Sequence, residues 1–257
     1  VGPDTTGGAV VTGRANRLVT TGCLTILIAL IIVLGVPVSW LWYRHWHDGH
    51  VNSERRDRAF ASIREQARAT ADETARALGT SGATGTDALI GVIWRHTEAP
   101  VITYEASRRE FTATAARSAR YDHAVVFPGG GPVEVTLCFV VTYTHRTGQA
   151  WTSRVSERDD EVCRPGTDIG GLVRLAQTRI SGMYAQDLTR AGVQKALDPT
   201  GRHTYEVKSV VREGDSTTVS VVVSSSGAAV GQCYRFTRPV PGGAGRGPAT
   251  AVPTSAC

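Results

Sequence analysis

Apolar and polar positions along the chain fall into three regimes, and the first is the plainest. From Leu18 to Tyr43 no residue is charged, and the centre of that stretch, Leu24 to Leu34, reads LTILIALIIVL. A helix needs about 20 residues to cross a hydrocarbon layer roughly 30 Å thick. Residues 20 to 42 meet that length, so 18–43 is predicted to be a transmembrane anchor in the lipid bilayer. Trp40, Trp42, Tyr43 and Trp46 follow at its C-terminal edge, where amphipathic rings favour the headgroup layer. The run is longer than the apolar core of a signal peptide, and Trp40 and Trp42 stand where a small-residue cleavage site would be. Thr20-Thr21-Gly22-Cys23 precedes the apolar run instead of following it, which argues against lipidation at Cys23.

The second regime has a helical period. Between 51 and 79, Phe60, Ile63, Ala67, Ala71, Thr74 and Leu78 recur at helical spacing among Arg and Glu. Ser53 offers an N-cap and Gly79 a stop, making 44–79 a juxtamembrane amphipathic helix. Its stripe is thin and rich in alanine. That suits a stalk, or a helix laid on a sheet, better than a coiled coil with its larger core residues.

The third regime alternates. Val133, Val135, Leu137, Phe139, Val141 and Tyr143 interleave with Glu134, Thr136, Cys138, Val140, Thr142 and Thr144, the period of a strand with one face on a core. A Gly129–Pro132 turn precedes it, and Thr147-Gly148 leads to a partner strand carrying Trp151 and Val155. Upstream, 79–85 is a flexible break, 87–94 fits either a helix turn or a strand, and 101–116 reads as two strands around Arg108-Arg109. Downstream, an acidic loop at 157–161 precedes a helix predicted from Ile169 to Leu197, ended by Pro199 and Gly201. Strands follow at Tyr205–Arg212, Thr217–Ser224 and Gln232–Arg238, the first two turning at Gly214-Asp215. Residues 241–257 read as a poorly ordered Gly/Pro-rich tail ending in Cys257. The order predicts an α+β fold: antiparallel sheet with helices on one face, occupying 80–240 behind the anchor.

Composition changes this picture in two places. A hydrophobic content of 41% excludes wholesale disorder. The net charge of +5 comes almost entirely from arginine, with Lys195 and Lys208 the exceptions, in a chain rich in Ala, Gly, Thr and Val. That bias is what a GC-rich genome produces, so no nucleic-acid partner is expected. Cysteine usage matters more. Cys138, Cys163, Cys233 and Cys257 follow the span without C-x-x-C or histidine spacing, which favours disulfides over zinc. Arg44, Arg55, Arg56 and Arg58 outnumber Arg14 and Arg17 across the span, and a positive-inside count would keep the C-terminal domain inside. That rule weakens for long translocated domains. The expectation is a single-pass cell-membrane protein with a short cytoplasmic tail, 1–17, and the C-terminal domain outside.

Four cysteines allow three connectivities. An internal echo favours one: Cys138-Phe139-Val140-Val141-Thr142 and Cys233-Tyr234-Arg235-Phe236-Thr237 share a C-aromatic-x-apolar-Thr strand, each followed by a cysteine at similar distance. This suggests a duplicated helix-plus-sheet unit with Cys138–Cys163 and Cys233–Cys257 bridges; chance similarity of two short strands is the competing reading. Each bridge would contribute roughly 3.5 kcal/mol by the chain-entropy estimate.

Chemistry is sparse. His45, His47 and His50 beside Asp48 have metal-binding side chains, but they sit among interfacial Trp. The acidic run 158–161 lacks calcium-loop spacing. No nucleophile elbow, zincin, Walker or dinucleotide motif is present, so no catalytic, cofactor or metal residue is assigned. Arg108, Arg109, Arg117 and Arg120 form a basic cluster that would face an anionic envelope polymer or headgroup, or simply water. Residues 233–237 and Cys257, behind an N-terminal anchor, resemble uncharacterised membrane-anchored proteins of actinobacteria. The architecture is also similar, at the level of fold, to NTF2-like domains of conjugation and type IV secretion components, which follow an anchor with helices and a curved antiparallel sheet. The resemblances imply no activity. The expected function is a membrane-anchored extracytoplasmic binding or assembly module of the cell envelope, working with protein partners or as a homo-oligomer. The alternative is a hydrolase-type extracytoplasmic enzyme, which would need a deep pocket with two convergent titratable groups.

Overall fold

Helix α1 runs from Gly13 to Thr80 without a break. Ser53 therefore caps nothing, and the expected juxtamembrane helix is the continuation of the apolar one. Nothing between Tyr43 and Ser53 stops a helix: the stretch holds no proline, and its single interior glycine, Gly49, costs only ~1 kcal/mol. The structure, a computed structural model, describes residues 13–124, 130–225, 230–240 and 246–257, with side chains from Thr25 onward. The expected tail at 1–17, the glycine turn at 129 and the start of the Gly/Pro tail fall wholly or partly outside the described residues, as does the Cys23 side chain.

The chain divides into two compact units, Val1–Asp57 with Tyr121–Val133, and Arg58–Arg120 with Glu134–Cys257. In the first, the Asn52 carboxamide makes a reciprocal pair with Ala124. Its Nδ2 donates to the Ala124 carbonyl at 2.6 Å, and its Oδ1 accepts the Ala124 N–H at 2.8 Å. Arg55 adds a bond from Nη1 to the Asp122 carbonyl at 2.8 Å.

The second unit holds two four-stranded antiparallel meanders. β1 (Val101–Glu105), β2 (Glu110–His123), β3 (Gly131–Thr144) and β4 (Thr152–Arg158) pair in chain order. So do β5 (Tyr205–Glu213), β6 (Ser216–Ser224), β7 (Gly231–Pro239) and β8 (Thr250–Thr254). The register Ile102↔Ala113 and Tyr104↔Phe111 sets the first pair, and Val221↔Tyr234 and Val219↔Phe236 the central pair of the second sheet. β8 corrects the sequence expectation: 250–254 is an ordered strand, not tail. Its five residues are too short and too mixed to show a period, and the strand exists because β7 offers it an edge.

Helices cover each sheet. The C-terminal part of α1 lays Ala67, Ala71, Ala75 and Leu78 on the first sheet, joined by Ile90 and Ile93 of α2 (Thr86–Thr97). The alanine stripe thus lets a helix approach a sheet closely. Beneath it lie Phe111, Ala113, Val141 and Tyr143. Only Phe139, Val141 and Tyr143 of the predicted apolar face of β3 are buried; Val133 is exposed. The second sheet is covered by α3 (Asp160–Gly182) through Ile169, Val173, Ala176 and Ile180, and by α4 (Arg190–Leu197) through Val193 and Leu197. The predicted single helix from Ile169 is therefore two. It starts earlier, because Asp160 and Glu161 serve as the acidic first turn of α3. It breaks at Met183, whose extended backbone ends α3 before a short 3-10 turn at Ala185–Asp187.

β6 shows why the second sheet holds together. Thr217, Val219, Val221 and Val223 are buried at strict period two, and burying each valine contributes roughly 1.5–3 kcal/mol. β7 then reaches across to the first repeat. The Gln232 carboxamide accepts the Ile102 N–H at 3.1 Å and donates to the Thr254 carbonyl at 2.8 Å. The Tyr234 hydroxyl donates to the Pro100 carbonyl at 2.5 Å. Just past the same end of β8, Asp87 of α2 accepts the Ser255 N–H at 2.9 Å and hydroxyl at 2.7 Å, and pairs with Arg235 at 3.2 Å.

Two outcomes follow from this seam. Gln232→Leu leaves the buried Ile102 N–H and Thr254 carbonyl without partners and is expected to lower unfolding free energy by ~2–4 kcal/mol in a denaturant titration. For Asp87, burial acts to raise the carboxyl pKa, but the Ser255 bonds and Arg235 outweigh it and hold it below its ordinary 3.8. A depressed folded-state pKa contributes stability that is present in full above 3.8 and is lost as pH falls through the folded value. Asp87→Asn is accordingly expected to be less stable than the parent near neutral pH, with the difference shrinking once the pH drops below 3.8.

Candidate functional site

Three features stand out as places where this chain meets something else: a bare apolar helix, two disulfides, and a charged cleft between the two sheets.

On α1, Ile26, Ile31, Val33 and Leu34 are all exposed, and no other part of the described chain covers them. The helix is long and apolar enough to cross a membrane. Trp40, Trp42, Tyr43 and Trp46 are likewise exposed, Trp42 at 78%. At 100° per residue these four rings fall within an arc of about 160°, a broad side of the helix that no other part of the described chain covers. Their polar neighbours engage them locally. Arg44 lies 5.1 Å over the Trp40 ring, His47 stacks on Tyr43 at 6.0 Å, and His50 stacks on Trp46 at 6.2 Å while approaching Glu54 at 3.6 Å. His47 and His50 are thus stacked on aromatics, and no group of three metal-ligating side chains exists among the described residues.

Cys138 on β3 is bonded to Cys163 in α3, and Cys233 on β7 to Cys257 beyond β8, with Cα separations of 5.6 and 5.5 Å. The two bridges are equivalent in topology: each joins the third strand of a meander to a cysteine just past the fourth. Helices, four strands in order and a closing bridge therefore recur, and a duplicated unit accounts for the recurrence. The Cys138 side chain points away from the face that Phe139 presents to α1, so the first bridge fixes the start of α3 to the back of the first sheet.

The cleft of about 460 Å³ opens between the end of α2, β2 and α3. Arg95 and Glu98 come from the end of α2, Arg117 from β2, and Arg174 and Gln177 from α3. Arg117 is held by a bond from Nη2 to the Thr97 carbonyl at 2.6 Å, which closes the C-terminus of α2. Glu98 sits just past that helix with φ 50, left-handed backbone that a non-glycine residue adopts only under local constraint. Gln177 donates to the Ala249 carbonyl at 2.7 Å. Trp94 forms part of the wall, edge-on to Tyr234 at 6.1 Å. Deeper in, Thr97, Ala115 and Arg117 also border a water-sized void that reaches Tyr143. That hydroxyl is fully buried, and burial pushes its pKa up to about 12.

The predicted basic cluster does not assemble. Arg108 pairs with Glu105 at 3.6 Å and Arg120 with Glu134 at 3.7 Å, and only Arg117 faces the cleft. Arg95, Arg174, Gln177 and Glu98 carry no motif, and in so arginine-rich a chain nothing in the sequence distinguishes them. The cleft also lacks a paired acid and base or a nucleophile beside a base; its titratable groups are three guanidiniums and one carboxylate. No family model, no curated protein and no solved structure matches this chain.

Opening the Cys233–Cys257 bridge with Cys257→Ser is expected to release β8 first. Hydrogen exchange of 250–254 should rise well before that of β6, whereas Cys163→Ser should raise exchange at the start of α3 and leave β8 protected.

Proposed function

We propose that this chain is a membrane-tethered extracytoplasmic binding or assembly module of a bacterial cell envelope, with its N-terminus inside and its C-terminal domain outside. The reading rests on one combination: an apolar helix that none of the described residues covers, continuous with a unit closed by two disulfides. Exposed Ile, Leu and Val side chains are unfavourable in water and favourable in lipid, and disulfides persist in oxidising compartments and are rare in the cytosol. Residues 18–43 act as the anchor, with Trp40, Trp42, Tyr43 and Trp46 at the headgroup layer. The charged cleft, without acid–base pairing, supports recognition over catalysis.

The test combines thiol state and sidedness. Cells are lysed in alkylating reagent, and the membrane protein is digested without reduction. Mass spectrometry is expected to find the Cys138 peptide linked to that of Cys163, and Cys233 to Cys257. Protease added to intact cells with a permeable outer layer should remove the two sheets. Four alkylated thiols, or full protection of both sheets from external protease, would overturn the proposal.

A further inference from the structure

Several surface arginines in this protein meet carboxylates. Arg64 meets Glu157 at 2.8 Å, Arg120 meets Glu134 and Arg235 meets Asp87. Three others meet in the cleft between the repeats. Arg95, Arg117 and Arg174 all line it, and none of them has an ion-pair partner among the described residues, although Glu98 lines the same space. Three positive charges therefore face one cleft against a single negative charge. The geometry also keeps them in place. Arg117 is fixed through Thr97, and Arg174 Nη1 lies beside Gly170, one turn earlier on α3, within ordinary contact of where a Cβ there would stand.

We infer that the cleft binds a saccharide-sized ligand carrying an oxyanion, a phosphate or a carboxylate. Its volume of about 460 Å³ is more than a bare ion fills and falls within the range of small-molecule sites. Guanidinium forks match the two oxygens of either oxyanion. Arg95 and Arg174, one from each repeat, hold the anionic group, while Arg117 supplies charge at the inner wall. Trp94 and Pro100 offer an apolar surface for a sugar ring. Gln177, fixed through its amide nitrogen to Ala249, presents its oxygen to a hydroxyl, and Glu98 adds a second acceptor. The inference rests on the proposed outside location only for the origin of such a ligand, the anionic saccharides of an envelope.

The experiment is calorimetric titration of the purified full-length protein in detergent micelles, disulfides intact and at low salt. Glucose 6-phosphate, glucuronate, glucose and inorganic phosphate are titrated in turn. At least one of the two anionic sugars is expected to bind saturably, about tenfold or more tighter than glucose and than inorganic phosphate. The double variant Arg95→Gln/Arg174→Gln, at two exposed positions, should keep the parent melting temperature and weaken that binding by about tenfold or more. No saturable binding of either anionic sugar up to about 10 mM, phosphate alone binding as tightly as the sugars, or an unaffected double variant would each overturn the site. Because binding is read on purified protein, such a failure leaves the topology proposal standing. A wrong topology would remove the envelope as the ligand's source without touching the titration.

Discussion

The structure turns on α3, which is bound covalently to one sheet while its apolar face belongs to the other. Cys163 ties its first turns to Cys138 on the back of the first sheet, and Ile169, Val173, Ala176 and Ile180 then bury themselves against the second. Neither sheet is free to drift once this helix is in place. A four-stranded meander covered partly by small side chains has a thin core there, and what α1 lays on the first sheet is largely alanine. Sharing a helix, and the polar seam from Gln232 and Tyr234 to the Pro100–Ile102 segment, joins two modest cores into one compact unit.

The cleft follows from the same constraint. Where α3 leaves the first sheet it passes Pro100, and glycine at 166 and 170 puts the helix backbone, not a side chain, beside that proline; a Cβ at either would stand 3.4 Å from its ring. The space left between α3, β2 and the end of α2 is lined by whatever those elements carry outward, and three of its four charged side chains are arginines. Duplication gives the arrangement its logic. Each repeat alone exposes the surface that the other would cover, and a site at their junction draws one wall from each.

Much of this fold could be read from the chain, and the failures have physical causes. The uncharged run from Leu18 to Tyr43, the period-two strands and the paired cysteine echo are strong local signals, because burial and lipid contact act on every residue of them. β6 is legible for that reason. β8 is not, since its conformation is imposed by the edge of β7 and by the bridge to Cys257. The continuity of α1 was hidden by Ser53, a residue that caps a helix only when the preceding backbone is not already helical. The division of the second helix at Met183 depends on tertiary packing of Leu188 and Val193 against the second sheet. The candidate site was the least legible part. Arg117 stands out in the sequence by its charge but not by its role at the end of α2, and Arg95, Arg174 and Glu98 acquire meaning only when three distant segments meet.

The claim on which the rest depends is that the two sheets fold as one unit. Hydrogen exchange across a denaturant series, read by mass spectrometry on the oxidised protein, measures this directly. The account predicts that amides in β2 and β3 around Phe111 and Val141 lose protection at the same denaturant concentration as those in β6 and β7 around Val221 and Tyr234. Complete exchange of one sheet while the other keeps its protection would contradict it.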